Sequence, residues 1–263
     1  MFSTQPYVLI TGATSGIGYE LAKVFASNGY NLVIVARKEV ELEKTATELQ
    51  RDYLINVIAI AKDLFERQAS FEVYQYLKER GVEIEILVND AGQGQYGEFV
   101  DTDIYRELDI IQLNISSLVI LTKLYLKDMV VAGRGRILNV SSIASKLPGP
   151  YQAVYHATKA FVHSFSEAIR SEVKEKGVVV TSLLPGATNT DFFVKADMLA
   201  SPTVQEGELA DPAEVAQDGY EALMNGDDMV VSGLNNKLRV AMSNLTPDET
   251  LADNRYAKGG PVK

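Results

Sequence analysis

The sequence predicts an α/β protein built as one doubly wound parallel sheet of about seven strands, with helices on both faces. Three observations carry that prediction. Short apolar runs recur along the chain, amphipathic helical patterns alternate with them, and no linker, repeat or low-complexity tract divides the 263 residues. The apolar runs are nearly continuous in Val, Ile and Leu, as expected of strands covered on both faces. Strand–helix alternation with right-handed crossovers then builds the sheet outward in both directions.

The first strand is YVLIT at 7–11; after it, Ile17, Leu21, Val24 and Phe25 form the apolar side of a helix. NLVIVA at 31–36 is the second strand. In the helix at 39–53, Leu42, Ala46, Leu49 and Tyr53 recur at steps of four, three and four. Its Glu-rich stretch EVELEKTATEL reads as a solvated face. NVIAIA at 56–61 and IEILV at 84–88 are the third and fourth strands. A helix over 103–131 precedes RILNVS at 136–141, and the helix at 151–176 carries a stripe of Ala157, Phe161, Phe165, Ala168 and Ile169. VVVTSLL at 178–184 is the sixth strand. A helix starts near Asp211, a suitable N-cap, with Pro212 at its first position. DMVV, near 227–231, supplies a short seventh strand, and 252–263, ending NRYAKGGPVK, is expected to be a flexible tail of the single domain 1–263.

Composition excludes several classes. No apolar run approaches the roughly 18–20 residues of a membrane span, and MFSTQPYVLI lacks a basic segment before an apolar stretch. With no cysteine there is no disulfide, thiolate metal site or thiol nucleophile. These features predict a cytoplasmic protein with no membrane partner. The net charge of −10 argues against nucleic acid as a partner. His156 and His163 are the only histidines, so no metal centre is expected.

Residues 11–18 read TGATSGIG, between the first strand and the first helix. In a doubly wound sheet, ligands bind beyond the carboxyl ends of the strands. Gly12, Gly16 and Gly18 let the backbone approach a pyrophosphate, and the helix start offers unpaired N–H groups and the positive end of its dipole. The spacing is G-x-x-x-G-x-G, not the commoner dinucleotide G-x-G-x-x-G. Where an NAD-preferring site carries Asp or Glu for the ribose 2′-hydroxyl, this chain has Ala36, Arg37 and Lys38. A guanidinium grips a 2′-phosphate bidentately, a nearby ammonium adds charge, and Thr14 or Ser15 adds a hydroxyl. The reading favours NADP(H) over NAD(H); the same two basic residues also fit a solvated strand end. VNDAG at 88–92, with Asn89, Ala91 and Gly92, either admits the cofactor or simply turns the chain. Asp63 is expected to accept from an adenine amino group.

YHATK places Tyr155 and Lys159 four apart, on one face of a helix. A free phenol, with pKa about 10, is protonated at neutral pH. An adjacent ammonium favours the phenolate, which suits the pair to general acid–base work. Alone, the pair also fits an exposed helical turn. Ser142 ends a strand thirteen residues earlier, on the ligand edge, and alternation points Ser141 to the opposite face. His156 is expected to point away from the phenol, because adjacent helical residues diverge by about 100°. His163, Tyr74 and Tyr76 are assigned to packing or surface.

Together these motifs resemble the short-chain dehydrogenase/reductase family, in its single-domain Rossmann-type branch. The likeness runs over about 7–190, through Thr11, Gly12, Gly16, Gly18, Asp63, Asn89, Ala91, Gly92, Asn114, Ser142, Tyr155, Lys159, Pro185, Gly186 and Thr190. It implies that Tyr155 exchanges a proton with the substrate oxygen and that Lys159 lowers the tyrosine pKa and holds the nicotinamide ribose. It further implies that Ser142 hydrogen-bonds the carbonyl and that Asn114 supports a water on the proton path. Cofactor contacts are implied for Ile17 and Leu64 and, within LLPGATNT, for Pro185, Gly186, Thr188 and Thr190. One departure stands out: the family's Asn-Asn-Ala-Gly is Asn89-Asp90-Ala91-Gly92 here, which puts the local turn bonding in question.

The implied reaction is reversible hydride transfer between NADP(H) and a carbonyl or alcohol substrate, with carbonyl reduction favoured. LVNDAGQGQYGEF and ATKAFVHSFSEAI resemble general bacterial reductases of this family. A 3-oxoacyl reductase within the same chemistry, or a cofactor-binding regulator without turnover, are the alternatives. Residues 191–225 are expected to form a substrate lid in which Phe192, Phe193, Met198 and Leu199 favour a partly apolar substrate. The same residues fit packing against the sheet or another subunit. The family's pairing of long helices, here 103–131 and 151–176, implies a homodimer or homotetramer.

Overall fold

The computed structural model describes residues 7–243 and 245–260. Its strands are β1 (Tyr7–Thr11), β2 (Asn31–Ala36), β3 (Val57–Ala61), β4 (Ile84–Asn89), β5 (Gly135–Val140), β6 (Val178–Leu184) and β7 (Met229–Val231). They form one sheet in the order β3-β2-β1-β4-β5-β6-β7. All pairings are parallel; Leu9, for instance, is in register with Val33 on one side and Leu87 on the other. The chain builds outward from β1 to β3, returns to place β4 beside β1, and then builds outward the other way. That reversal opens a crevice beyond the carboxyl ends of β1 and β4.

The helices are α1 (Gly16–Ser27), α2 (Glu39–Tyr53), α3 (Arg67–Glu79), α4 (Ile104–Ile111), α5 (Leu118–Ala132), α6 (Ala153–Val173), α7 (Phe192–Lys195), α8 (Pro202–Gln205), α9 (Pro212–Asn225), α10 (Leu234–Ser243) and α11 (Asp248–Gly259). Alternation along β1 sends Val8 and Ile10 to one face and Leu9 to the other. The first pair packs with Leu21 and Phe25 of α1, Leu42 and Leu49 of α2, and Val215 and Leu223 of α9. Leu9 packs with Val73 and Leu77 of α3, Leu121 and Tyr125 of α5, and Ile169 of α6. Burying each such side chain contributes about 1.5–3 kcal/mol, so the two layers hold the strand ends in fixed positions.

Three expectations change. The helix expected over 103–131 is a helical run interrupted by a π-helical turn, Gln112–Ser117, which carries Asn114 between α4 and α5. The proposed lid over 191–225 divides. α7 and α8 belong to a small cluster of Phe193, Ala196 and Met198 with Tyr96 and Leu209, whereas 212–225 is a sheet-covering helix whose Val215 and Ala216 are in the core. Asp211 caps that helix, accepting from the Ala213 N–H at 2.9 Å. The expected flexible tail is helical up to residue 259, with 261–263 outside the described residues. The Tyr256 ring stacks on Tyr151 with centroids 5.3 Å apart, and the Tyr96 hydroxyl donates to the Gly259 carbonyl. Among the described residues no helix is long and apolar enough to cross a membrane.

Candidate active site

A cavity of about 690 Å³ lies beyond the strand ends. One end is built by the turn after β1. Gly12 (φ +76°) and Gly16 (φ +58°) occupy left-handed conformations that other residues adopt only with strain. A Cβ on Gly16 would stand 2.8 Å from Thr190 Cγ2. Gly18 does not line the cavity. A Cβ there would meet Asp90 Oδ2 at 2.4 Å and the Gly12 carbonyl oxygen at 2.6 Å, so its absence lets α1 close onto the turn. Ser15 is the N-cap of α1, but its side chain bonds none of the helix amides, leaving N–H groups of the first turn for a ligand. Thr14, Ser15 and Ile17 line this end.

Arg37, Lys38, Asp63 and Leu64 line the same region. The Arg37 guanidinium lies 4.8 Å from the centre of the Phe65 ring and 3.9 Å from the Asp63 carboxylate. Lys38 pairs with Glu41 at 2.7 Å. Asp63 faces Arg37 and accepts from the Phe65 N–H at 3.1 Å through Oδ1, and its carboxylate keeps further acceptor sites at the cavity. Ala91 and Gly92 line the cavity, but Asn89 does not. Its amide is buried in the sheet and donates to Thr122 and Asn139 at 3.0 and 2.9 Å. Asn89 therefore ties β4 to its neighbours, a correction to the contact expected from its place at a strand end.

Ser142, Tyr155 and Lys159 meet at the other end, with Pro185, Gly186 and Thr188 beside them. Ser142 follows β5 and caps a short 3₁₀ turn, its hydroxyl accepting from the Ala144 N–H at 3.1 Å and donating to the Pro185 carbonyl at 3.3 Å. Ser141 instead donates to the Lys159 backbone carbonyl at 2.8 Å. Lys159 is buried and donates from Nζ to the Val140 carbonyl at 2.8 Å, 5.8 Å from the centre of the Tyr155 ring. Asn114 lies behind it, away from the cavity wall. Its Oδ1 accepts from the Gln93 N–H at 2.9 Å, and its Nδ2 donates to the Gln93 carbonyl at 2.8 Å and to Thr158 at 3.0 Å. A π-turn widens the helix at this position, a feature frequent at functional sites.

The electrostatics differ from the expected pattern. Burial pushes the Tyr155 phenol up to about 12, a hydrogen bond with Ser142 pulls it back, and the Asp90 carboxylate adds to the rise. Desolvation therefore outweighs the lowering expected from Lys159. Burial also lowers the lysine pKa, opposed by the charge of Asp90. Asp90 itself is raised by burial and pulled down by Lys159 and by a bond from the Gly18 backbone. Asp90, Phe65, Arg239 and Arg255 line the cavity without having been singled out as site residues. Asp90 showed itself in the sequence only as a departure from the family's tetrapeptide. His156 also lines the cavity, but its Nδ1 is engaged with the Leu147 carbonyl at 2.8 Å.

The glycine turn, the free helix amides and the small Gly92 beside Lys159 fit a nicotinamide dinucleotide laid along the cavity. This is the architecture of a nicotinamide-dependent oxidoreductase. The family model for short chain dehydrogenase matches residues 6–198, and the chain belongs to that family. It is 36% identical over 211 residues to the human very-long-chain 3-oxoacyl-CoA reductase, covering 76% of this chain and 64% of that protein. The counterpart from Anas platyrhynchos is 36% identical over 185 residues, covering 68% of this chain; the match spans only 58% of that relative's length. A solved short-chain dehydrogenase from Sphingobium yanoikuyae in complex with NADPH superposes with a TM-score of 0.82 at 31% identity, covering 91% of this chain and 94% of the other. The bulky-bulky ketone specific alcohol dehydrogenase from Comamonas testosteroni gives 0.78 at 30%, covering 92% and 94%.

Proposed function

We propose that this protein reduces a carbonyl group on a partly apolar substrate, using NADPH. The observation that carries the reading is the convergence of Ser142, Tyr155 and Lys159 at one end of a cavity whose other end is the glycine turn and Arg37. Arg37 supports NADP(H) over NAD(H), its guanidinium set beside the cavity by Phe65 and Asp63. The human relative's name supports a 3-oxoacyl thioester as one form of the substrate.

When bound, NADPH supplies the hydride. Gly12, Gly16 and the amides of α1 would hold its pyrophosphate, and Lys159 and Thr190 would hold the nicotinamide end. Ser142 and Tyr155 donate to the substrate oxygen, where negative charge develops during reduction, so they favour the transition state over the ground state. Burial keeps the Tyr155 proton in place near neutral pH, the form a proton donor requires. Phe192, Phe193 and Met198 give the substrate end apolar walls that exclude water. A homo-oligomer belongs to the same reading, supported by Ile104, Leu108 and Phe161, which are exposed on α4 and α6.

NADPH consumption over a panel of ketones, aldehydes and 3-oxoacyl thioesters tests the proposal. Tyr155→Phe is expected to lower kcat about 10²–10⁴-fold while NADPH affinity stays near wild type. Wild-type turnover in that variant, or no consumption with any of the panel, would overturn the reading.

A further inference from the structure

Two cations at the cavity have no part in the hydride chemistry. Arg239 lies on α10 and Arg255 on α11, and both line the cavity that holds Tyr155. They converge from separate helices. Among the described residues, neither forms an ion pair with a carboxylate. The acidic groups of the cavity are engaged elsewhere: Asp63 with Arg37, Glu41 with Lys38, Glu48 with the Tyr19 hydroxyl, Asp191 with Lys195, and Asp90 beneath the glycine turn.

Arg239 is exposed, and Arg255 is half-buried. Burial lowers the Arg255 pKa, and the charge of Arg239 lowers it further. Arg255 in turn helps to keep His156, the neighbour of Tyr155, in its neutral form. Among the described residues, these two guanidinium groups face one cavity with no carboxylate paired to either, and the charge of Arg239 acts against that of Arg255, a cost to both. An anion placed between them removes that penalty, and the planar forks of arginine match the paired oxygens of a carboxylate or phosphate.

We propose that Arg239 and Arg255 form an anion-binding subsite for an acidic end of the substrate, a carboxylate or a phosphate. The apolar part of the same molecule lies along Phe192, Phe193 and Met198, with its carbonyl towards Tyr155. This deepens the reductase reading and rests on it. The substrate class becomes an oxo acid, or an acyl thioester with a phosphorylated carrier, in preference to a neutral ketone.

Calorimetric titration with octanoate and with methyl octanoate, with NADP+ present, reads the subsite without turnover. Wild type is expected to prefer the acid, and Arg239→Gln and Arg255→Gln each to cut that preference about tenfold or more. Arg255→Lys, which keeps a charge, is expected to restore part of it, and circular dichroism identifies any variant that fails to fold. A second pair of probes, octanoyl-coenzyme A and octanoyl-N-acetylcysteamine, separates the sources. A coenzyme A preference that falls in the variants assigns the anion to phosphate; a loss confined to octanoate assigns it to carboxylate. Equal binding of charged and neutral members of both pairs by wild type, or preferences unchanged in both Gln variants, would overturn the proposal. Because binding is measured directly, an absence of ketone reduction bears on the reductase reading alone.

Discussion

Arg37 is held between the Phe65 ring and the Asp63 carboxylate, so its position at the cavity is set before any ligand arrives. Arg37→Asp is expected to weaken NADPH about tenfold or more while changing NADH far less, as read by fluorescence titration. Equal loss for both would remove the 2′-phosphate assignment. His156 offers a pH test. Burial pushes its pKa from 6.5 down to about 4, so between those values the unfolded ring binds more protons than the folded one. Stability is therefore complete above pH 6.5 and falls as the pH drops towards 4, by up to about 3 kcal/mol from this ring. Urea unfolding at pH 7 and pH 5 should show a smaller difference for His156→Gln than for wild type; an unchanged difference would remove the assignment. The side chains proposed for proton transfer could be placed from the sequence because helix and strand periodicity set their faces: Tyr155 and Lys159 four apart, Ser142 alternating with Ser141. Arg239 and Arg255 could not, because only the packing of two separate helices brings them together. Asn89 was misread for a related reason: its partners Thr122 and Asn139 are distant in the chain.

Gly18 is where α1 meets the loop after β4, and its neighbours are backbone and a buried carboxylate. Gly18→Ala is expected to lower stability by about 1–3 kcal/mol, as overpacking does, and to weaken NADPH by displacing the helix start. Urea denaturation and cofactor titration check both effects, and a wild-type midpoint would show that α1 has room. At this scale the strands were readable to within a residue or two, because burial on both faces demands continuous Val, Ile and Leu. The π-turn at Gln112–Ser117 was hidden, since widening one turn of a helix leaves no mark on composition. The helix near the end was read as loose because its anchors, Tyr151 and Tyr96, lie far back in the sequence. α9 was counted with the lid because its burial against α1 is tertiary too.

The whole molecule joins a nucleotide-binding sheet to a cover made from α8, α10 and α11. No residue of α11 belongs to either large core cluster. Deleting 245–263 is therefore expected to leave a folded protein that binds NADPH with near-wild-type affinity but has a KM for carbonyl substrate raised about tenfold or more. Loss of cofactor binding on deletion would show that the cover supports the sheet itself. The strand order has a different outcome. β1 sits between β2 and β4, yet residues 84–89 lie far along the chain from residues 7–11, so this long-range pairing closes late when the chain folds. Until they arrive, one flank of an apolar strand has no neighbour and offers its backbone to any chain nearby. Refolding from urea should accordingly give yields that fall as protein concentration rises, with losses set by how long β1 waits.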